Sequence, residues 1–203
     1  MLLFDEVAQL YSQVRPGYPD ALFEWLAPGT SVLEVGCGTG QATRSLVSRG
    51  CDVTALEPGP ALAAAARRAV PGVPVEESTF ERWDDRGRRF DVLLAASSWH
   101  WVDPVVGWRR FREVVRPGGS FAVLGHVVVR RPGEPEVYAE TADLHERFAP
   151  GHPAWGHPPW EDESALPEGV REALLDAVAE RIRTGLGDRV ARRYLSYVGI
   201  SNR

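Results

Sequence analysis

Three glycines at alternate positions, Gly36, Gly38 and Gly40, follow the short apolar run Ser31-Val32-Leu33-Glu34-Val35 and precede Gln41-Ala42-Thr43-Arg44-Ser45-Leu46-Val47. The run has the β-branched, apolar composition of a buried strand, and the segment after the glycines reads as helix. Glycine lets the backbone turn sharply and lets a ligand approach where a Cβ would intrude. The helix start behind the turn presents unpaired N–H groups and the positive end of a dipole, which suit a carboxylate or a phosphate. The next apolar run, Cys51 to Leu56, ends on Glu57. A carboxylate at the tip of a second strand accepts hydrogen bonds from the two hydroxyls of a ribose. Together these residues describe a site for an adenosine-bearing cofactor.

Two cofactors meet that description. The nicotinamide fingerprint G-x-G-x-x-G needs a third glycine at position 41, and this chain has Gln41 there. The sequence Glu34-Val35-Gly36-Cys37-Gly38-Thr39-Gly40 instead resembles motif I of the class I S-adenosylmethionine-dependent methyltransferases, small-molecule type. That resemblance implies that the loop, with Gly36, Cys37, Gly38 and Gly40, holds the methionine part of S-adenosylmethionine, and that Glu57 with Pro58 holds the ribose. It assigns Glu34 to orienting the loop or the cofactor's amino group.

Later segments extend the resemblance. Tyr11 through Arg15-Pro16-Gly17-Tyr18-Pro19 is similar to the amino-terminal helix and turn that fold over the cofactor in this family, which implies cofactor contacts from Tyr11 and Arg15. Arg15 fits the carboxylate of the tail, or equally a solvated surface site. Ser78 to Trp83 matches the stretch that grips adenine, implicating Thr79 and Phe80. Phe80 and Trp83 read equally well as packing residues of a short helix. Asp91 to Ala96 is an apolar fourth strand opening into Ser97-Ser98-Trp99-His100-Trp101, where the resemblance places Ser97 at the cofactor and Trp99, His100 and Trp101 at the acceptor. His100, with an ordinary pKa near 6.5, is the candidate general base, ahead of His126 at the end of the fifth strand. It reads also as a structural histidine between two tryptophans. Glu81 reads as a solvated helix residue.

The elements that must position these groups alternate throughout. Asp20 is a good N-cap for Ala21 to Leu26. Ala61 to Val70 reads as a helix bounded by Pro60 and Pro71-Gly72, and Val73 to Glu77 as a weak third strand. Asp103 caps a helix opening on Pro104, with Val105, Trp108, Phe111 and Val115 on its buried face and Arg116-Pro117-Gly118-Gly119 ending it. Ser120 begins the fifth strand. This alternation predicts an α/β, Rossmann-like three-layer sandwich around a mostly parallel twisted sheet. Past Val129 the pattern thins to a helix within Val137–Phe148, a Pro- and Trp-rich loop at 150–160, a helix through Val170 and Ile182, and a last edge strand within Val190–Ile200. No segment supplies the usual additional strand, so the sheet is expected to have one fewer than the family's seven. The expected organisation is a single domain, with a flap at 1–28, a cofactor core at 29–129 and a shortened acceptor-side region at 130–203. An edge left open by the missing strand favours a homodimer.

Composition removes alternatives. The net charge of −5 argues against non-specific nucleic-acid binding, and no apolar run approaches the roughly 20 residues that span a bilayer. The opening Met1-Leu2-Leu3-Phe4-Asp5-Glu6 lacks the features of a signal peptide, which points to the cytoplasm. The sequence contains no lysine, excluding a Walker loop, a pyridoxal Schiff base and a Tyr-x-x-x-Lys pair. Cys37 and Cys51 lack ligand-type spacing, so no metal is expected. The reading is methyl transfer from S-adenosylmethionine to a small-molecule acceptor. Its rivals are a cofactor-binding protein without transferase activity and, further off, an NAD-dependent oxidoreductase.

Overall fold

The structure, a computed structural model, describes residues 16–129, 139–148, 150, 168–185 and 193–202. Six strands form one sheet among these residues: β1 (Ser31–Val35), β2 (Asp52–Leu56), β3 (Val75–Glu76), β4 (Phe90–Ala96), β5 (Val115–Val129) and β6 (Arg193–Asn202). The order is β3-β2-β1-β4-β5-β6, and the β1–β2, β1–β4, β2–β3 and β4–β5 pairs are all parallel. Ser196 and Asn202 of β6 face His126 and Ser120 of β5, so this last pair runs antiparallel. Strand order reverses direction between β1 and β4, and ligands of open α/β sheets bind outside the carboxyl ends of the strands at that reversal.

Alternation along the central strands separates two faces. On one, Val32, Val53, Val92, Leu94 and Ala122 pack with Ala42 and Leu46 of α1 (Gln41–Ser48) and with Phe23 and Leu26. Ala55 on this face meets Ala63 and Ala66 of α2 (Pro60–Ala69), whose small side chains bring the helix close. On the other, Leu33, Val35, Leu56, Leu93 and Phe121 pack with Phe111 and Val114 of α3 (Pro104–Val114). Leu46 is fully buried, worth about 1.5–3 kcal/mol relative to exposure. Helices on both faces of a largely parallel sheet give the three layers expected.

The structure corrects three local readings. Asp20 does not cap an α-helix: Asp20–Phe23 is a single 3₁₀ turn, entered from Pro19 without a side-chain cap. The buried face of α3 is Gly107, Phe111 and Val114, whereas Val105 is 80% and Trp108 41% exposed. The reason is Gly107, where a Cβ would lie 2.7 Å from Val102 Cγ1, so the helix leans in on its smallest residue. Glu81 is not merely solvated, because its Oε1 accepts the Asp103 N–H at 2.9 Å just outside α3. Asp103 itself caps as expected, accepting from Val105 and Val106.

Strand pairing with β4 already begins at Val115, and Arg116–Gly119 then stand outside the register that resumes at Ser120. Gly119 is needed there, since a Cβ would sit 2.6 Å from the Asp91 carbonyl oxygen. Asp91 accepts the Ser31 N–H and pairs with Arg116, which together hold its carboxyl below the usual carboxylate range. This joins the starts of β1, β4 and β5.

Residues 128–195 cluster as a second compact unit, distinct from the unit of 1–127 and 196–203. Within it α4 (Ala142–Phe148) packs on α5 (Glu168–Gly185). Arg181 clamps Asp143 at 2.8 Å, and this exposed pair pulls the Asp143 carboxyl down. Both helices expected past Val129, and the terminal strand, are present among the described residues. The Pro- and Trp-rich loop, along with Tyr11 and Arg15, lies outside them. No described helix is long and apolar enough to cross a membrane.

Candidate functional site

The glycine loop is fixed from beneath. Gly36 and Cys37 both donate to the Leu56 carbonyl at 2.9 Å, which turns the chain across the tip of β2. Gly36, Gly38 and Gly40 have φ of +70°, +58° and +87°, in the region that side-chain-bearing residues disfavour. Their surroundings differ. A Cβ at Gly36 would meet Ser98 Cβ at 2.6 Å, whereas one at Gly38 would meet nothing within 4 Å. Gly36 is therefore a packing glycine, and Gly38 is open above. Gly40 starts α1, and no side chain caps it. The first amides of that helix sit at the end of the loop with the polarity an anionic tail requires.

Glu57 lies directly under the open position and is 5% exposed. Its Oε2 accepts the Gly38 N–H and its Oε1 the Gly59 N–H, both at 2.9 Å. The carboxylate thereby ties the loop after β1 to the turn after β2.

Glu34 sits deeper, with no exposed surface. Thr43 of α1 donates to its Oε2 at 2.7 Å, and Oε1 has no hydrogen-bond partner among the described residues. Burial, reinforced by the nearby Glu57 charge and opposed by the Thr43 bond, raises its pKa to about 7. Burial also pushes the Cys37 thiol well up, making it a packed loop residue rather than a nucleophile. Gln41, read from sequence only as the residue that breaks the nicotinamide fingerprint, is buried here. Its Oε1 accepts from Thr39, and its Nε2 has no partner among the described residues.

The tip of β4 forms the other wall of the switch point. Ser98 donates through Oγ to the Val35 carbonyl, locking β4 to β1. Ser97 is left-handed at φ +55°, an uncommon conformation for a residue with a side chain, and its Oγ hydrogen-bonds the Tyr18 hydroxyl at 2.9 Å. Tyr18 in turn stacks on His126, with ring centroids 4.4 Å apart, and His126 Nδ1 meets Ser196 Oγ at 2.8 Å. The sequence placed Tyr18 in the Arg-Pro-Gly-Tyr-Pro turn without assigning it a contact. Thr43, Ser98 and Ser196 carried no signal at all.

The remaining candidates disperse. Pro58 and Thr79 are half-buried near Glu57 and Phe80 in sequence. Phe80 is 2% exposed, its side chain packed in the core 6.0 Å from Trp99. Trp83 is likewise core, its indole N–H donating to Glu76. Trp99 is half-buried against Trp108 and Phe121. His100 and Trp101 are exposed on the turn Trp99–Trp101, rings 4.9 Å apart. We expect His100→Ala to leave S-adenosylhomocysteine affinity unchanged in a calorimetric titration. A collapse of binding would move His100 into the cofactor shell.

A mostly parallel sheet with a glycine turn at its switch point and a buried acid just past the neighbouring strand is the arrangement in which open α/β sheets bind nucleotides. Residues 33–123 match the family described as a methyltransferase domain. An uncharacterized methyltransferase of Mycobacterium tuberculosis is 35% identical over 134 residues, which are 65% of this chain and 55% of that protein. A probable S-adenosylmethionine-dependent methyltransferase of Saccharomyces cerevisiae is 25% identical over 202 residues, covering 88% of this chain and 62% of that one. The solved structure of a putative type II methyltransferase from Anaeromyxobacter dehalogenans superposes with a TM-score of 0.58 at 26% identity, covering 92% and 96% of the two chains. Over this core the chain is similar to the S-adenosylmethionine-dependent methyltransferases, a family whose cofactor is S-adenosylmethionine. It spans about half the length of the mycobacterial relatives it matches.

The residues present fit that cofactor. The space over Gly38 admits a ligand, the Glu57 carboxylate holds the two turns beside it, and the buried Glu34 Oε1 is an acceptor with no hydrogen-bond partner among the described residues.

Proposed function

We propose that this chain binds S-adenosylmethionine at the β1–β4 switch point and transfers its methyl group to a small-molecule acceptor. When bound, the cofactor supplies a methyl group made electrophilic by the sulfonium. The chain's own residues then have to hold, align and dehydrate. Glu57 holds the ribose hydroxyls while keeping Gly38 and Gly59 in place. The Gly36–Gly40 loop and the start of α1 receive the amino-acid tail, with Glu34 beneath it. The Ser97–Tyr18 pair and the Trp99–Trp101 turn border the side from which an acceptor must approach in line. Positioning of this kind supplies about 7–11 kcal/mol of a barrier in favourable cases. His100 is the candidate to take the acceptor's proton. The chain's net charge of −5 favours an acceptor that is not a nucleic acid.

One observation carries the reading: the Glu57 carboxylate bridging Gly38 and Gly59 beneath open space. The test pairs calorimetric titration with S-adenosylhomocysteine and NAD against a methyl-transfer screen over hydroxyl, amine, thiol and carbon acids. Binding of S-adenosylhomocysteine without NAD binding, and turnover on one acceptor class, is the expected result. Tight NAD binding alone would contradict it.

A further inference from the structure

The outer face of α3 carries more apolar surface than the chain's own core takes up. Trp101, Val105 and Trp108 follow one another at spacings of four and three residues and are 56%, 80% and 41% exposed. The helix leans inward on Gly107 and leaves them outside. Trp108 is fixed on its inner side by Trp99, Phe121 and Phe111, with ring centroids 5.5, 5.0 and 5.8 Å away. An aromatic already held in place loses little freedom when a partner packs on it, which makes it a good anchor for an interface. Arg112 continues the row one turn further on, exposed and with no hydrogen bond or ion pair among the described residues. At the other end of the helix, Asp103 Oδ1 accepts both capping amides, from Val105 and Val106. Its Oδ2 takes no hydrogen bond or ion pair among the described residues.

We propose that this face binds the same face of a second copy of the chain, α3 lying antiparallel to α3 about a twofold axis. The charges select that occupant. An acid stands at the head of the face and an unpaired base at its tail, separated by about 14 Å of helix at the usual rise. Turning a second α3 end for end sets Asp103 against the partner's Arg112 and Arg112 against the partner's Asp103. One operation therefore matches both charges twice, as an isologous contact requires. Between the two ion pairs, Val105 packs on the partner's Trp108 and Trp108 on the partner's Val105. The incoming Arg112 guanidinium also comes beside the Trp101 ring, whose face attracts cations. Opposed helix dipoles add to the attraction. The open sheet edge lies elsewhere, on β6, so this contact is a different surface from that edge. The face is small, below about 1,200 Å² of total buried area, which places the dimer among weak, exchanging complexes.

Sedimentation velocity on the full chain reads the association directly. A monomer–dimer equilibrium with a Kd of about 10–500 µM is expected for a contact of this size. Val105→Glu, at a position already exposed, should leave only monomer up to about 500 µM, because the charge would be buried at the centre of the contact. Arg112→Glu turns two symmetric attractions into repulsions and should raise the Kd about tenfold. Asp103→Asn keeps an equally good N-cap while removing the charge, and should raise the Kd by about threefold. Combined with Arg112→Glu, it should bind more tightly than Arg112→Glu alone, since the clash between Asp103 and the partner's Glu at 112 is gone. A chain that is monomeric at about 500 µM overturns the proposal. So does a dimer that Val105→Glu and Arg112→Glu leave intact, which would put the contact on another surface, β6 being the first candidate. The wild type decides the matter even if a variant fails to fold. Raising NaCl from about 50 to 500 mM should weaken its dimer several-fold by screening the exposed pairs, and a dimer indifferent to salt overturns the crossed Asp103–Arg112 contacts.

Discussion

Replacing Gly36 with alanine is expected to destabilise the chain by about 2–5 kcal/mol and to abolish binding of S-adenosylhomocysteine at ordinary concentrations. Two costs add. A left-handed backbone at φ +70° costs a residue with a Cβ roughly 1–2 kcal/mol. The new Cβ would also lie 2.6 Å from Ser98 Cβ, in a junction held by the Ser98 hydrogen bond to Val35. Relieving that overlap means parting β1 from β4 at the switch point, with an overpacking cost of about 1–3 kcal/mol. The second cost is separable. Gly36→Ala combined with Ser98→Gly should recover much of the steric part in a denaturant melt and none of the backbone part. The same alanine at Gly38, where space is open, should cost only the backbone term.

Glu57→Ala is expected to weaken S-adenosylhomocysteine binding by about 1.5–3 kcal/mol, or roughly 10- to 150-fold, the range for hydrogen bonds to a charged group. The carboxylate does two jobs, so the loss has two sources. Ribose hydroxyls lose their acceptor, and Gly38 and Gly59 lose the group that keeps their amides satisfied. Glu57→Gln keeps the size and one acceptor oxygen, so it should fall between wild type and alanine. Unchanged affinity in the alanine variant, measured by calorimetry, would remove Glu57 from the site.

The strand–glycine–helix unit was legible because its signals are local. A buried β1 shows as an apolar run, and each glycine marks a backbone demand within a few residues of the strand end. Glu57 was legible for the same reason, as the first residue past β2. The β4 tip was legible only in outline. Ser97 and Tyr18 lie 79 residues apart and His126 and Ser196 lie 70 apart, and no periodicity relates such pairs. Thr43 looks like any helical threonine until the fold sets it against Glu34. The α3 face was misread because hydropathy ignores glycine, whereas packing turns the helix toward Gly107 and away from Val105. Phe80 shows the converse limit: its type suits both an adenine wall and a core, and its side chain sits in the core.

The most direct test is a crystal structure of the chain with S-adenosylhomocysteine. The account expects ribose oxygens within hydrogen-bond distance of Glu57 and the amino-acid tail lying over Gly38. A ligand bound elsewhere, or a Glu57 carboxylate that touches no part of the nucleoside, would contradict it.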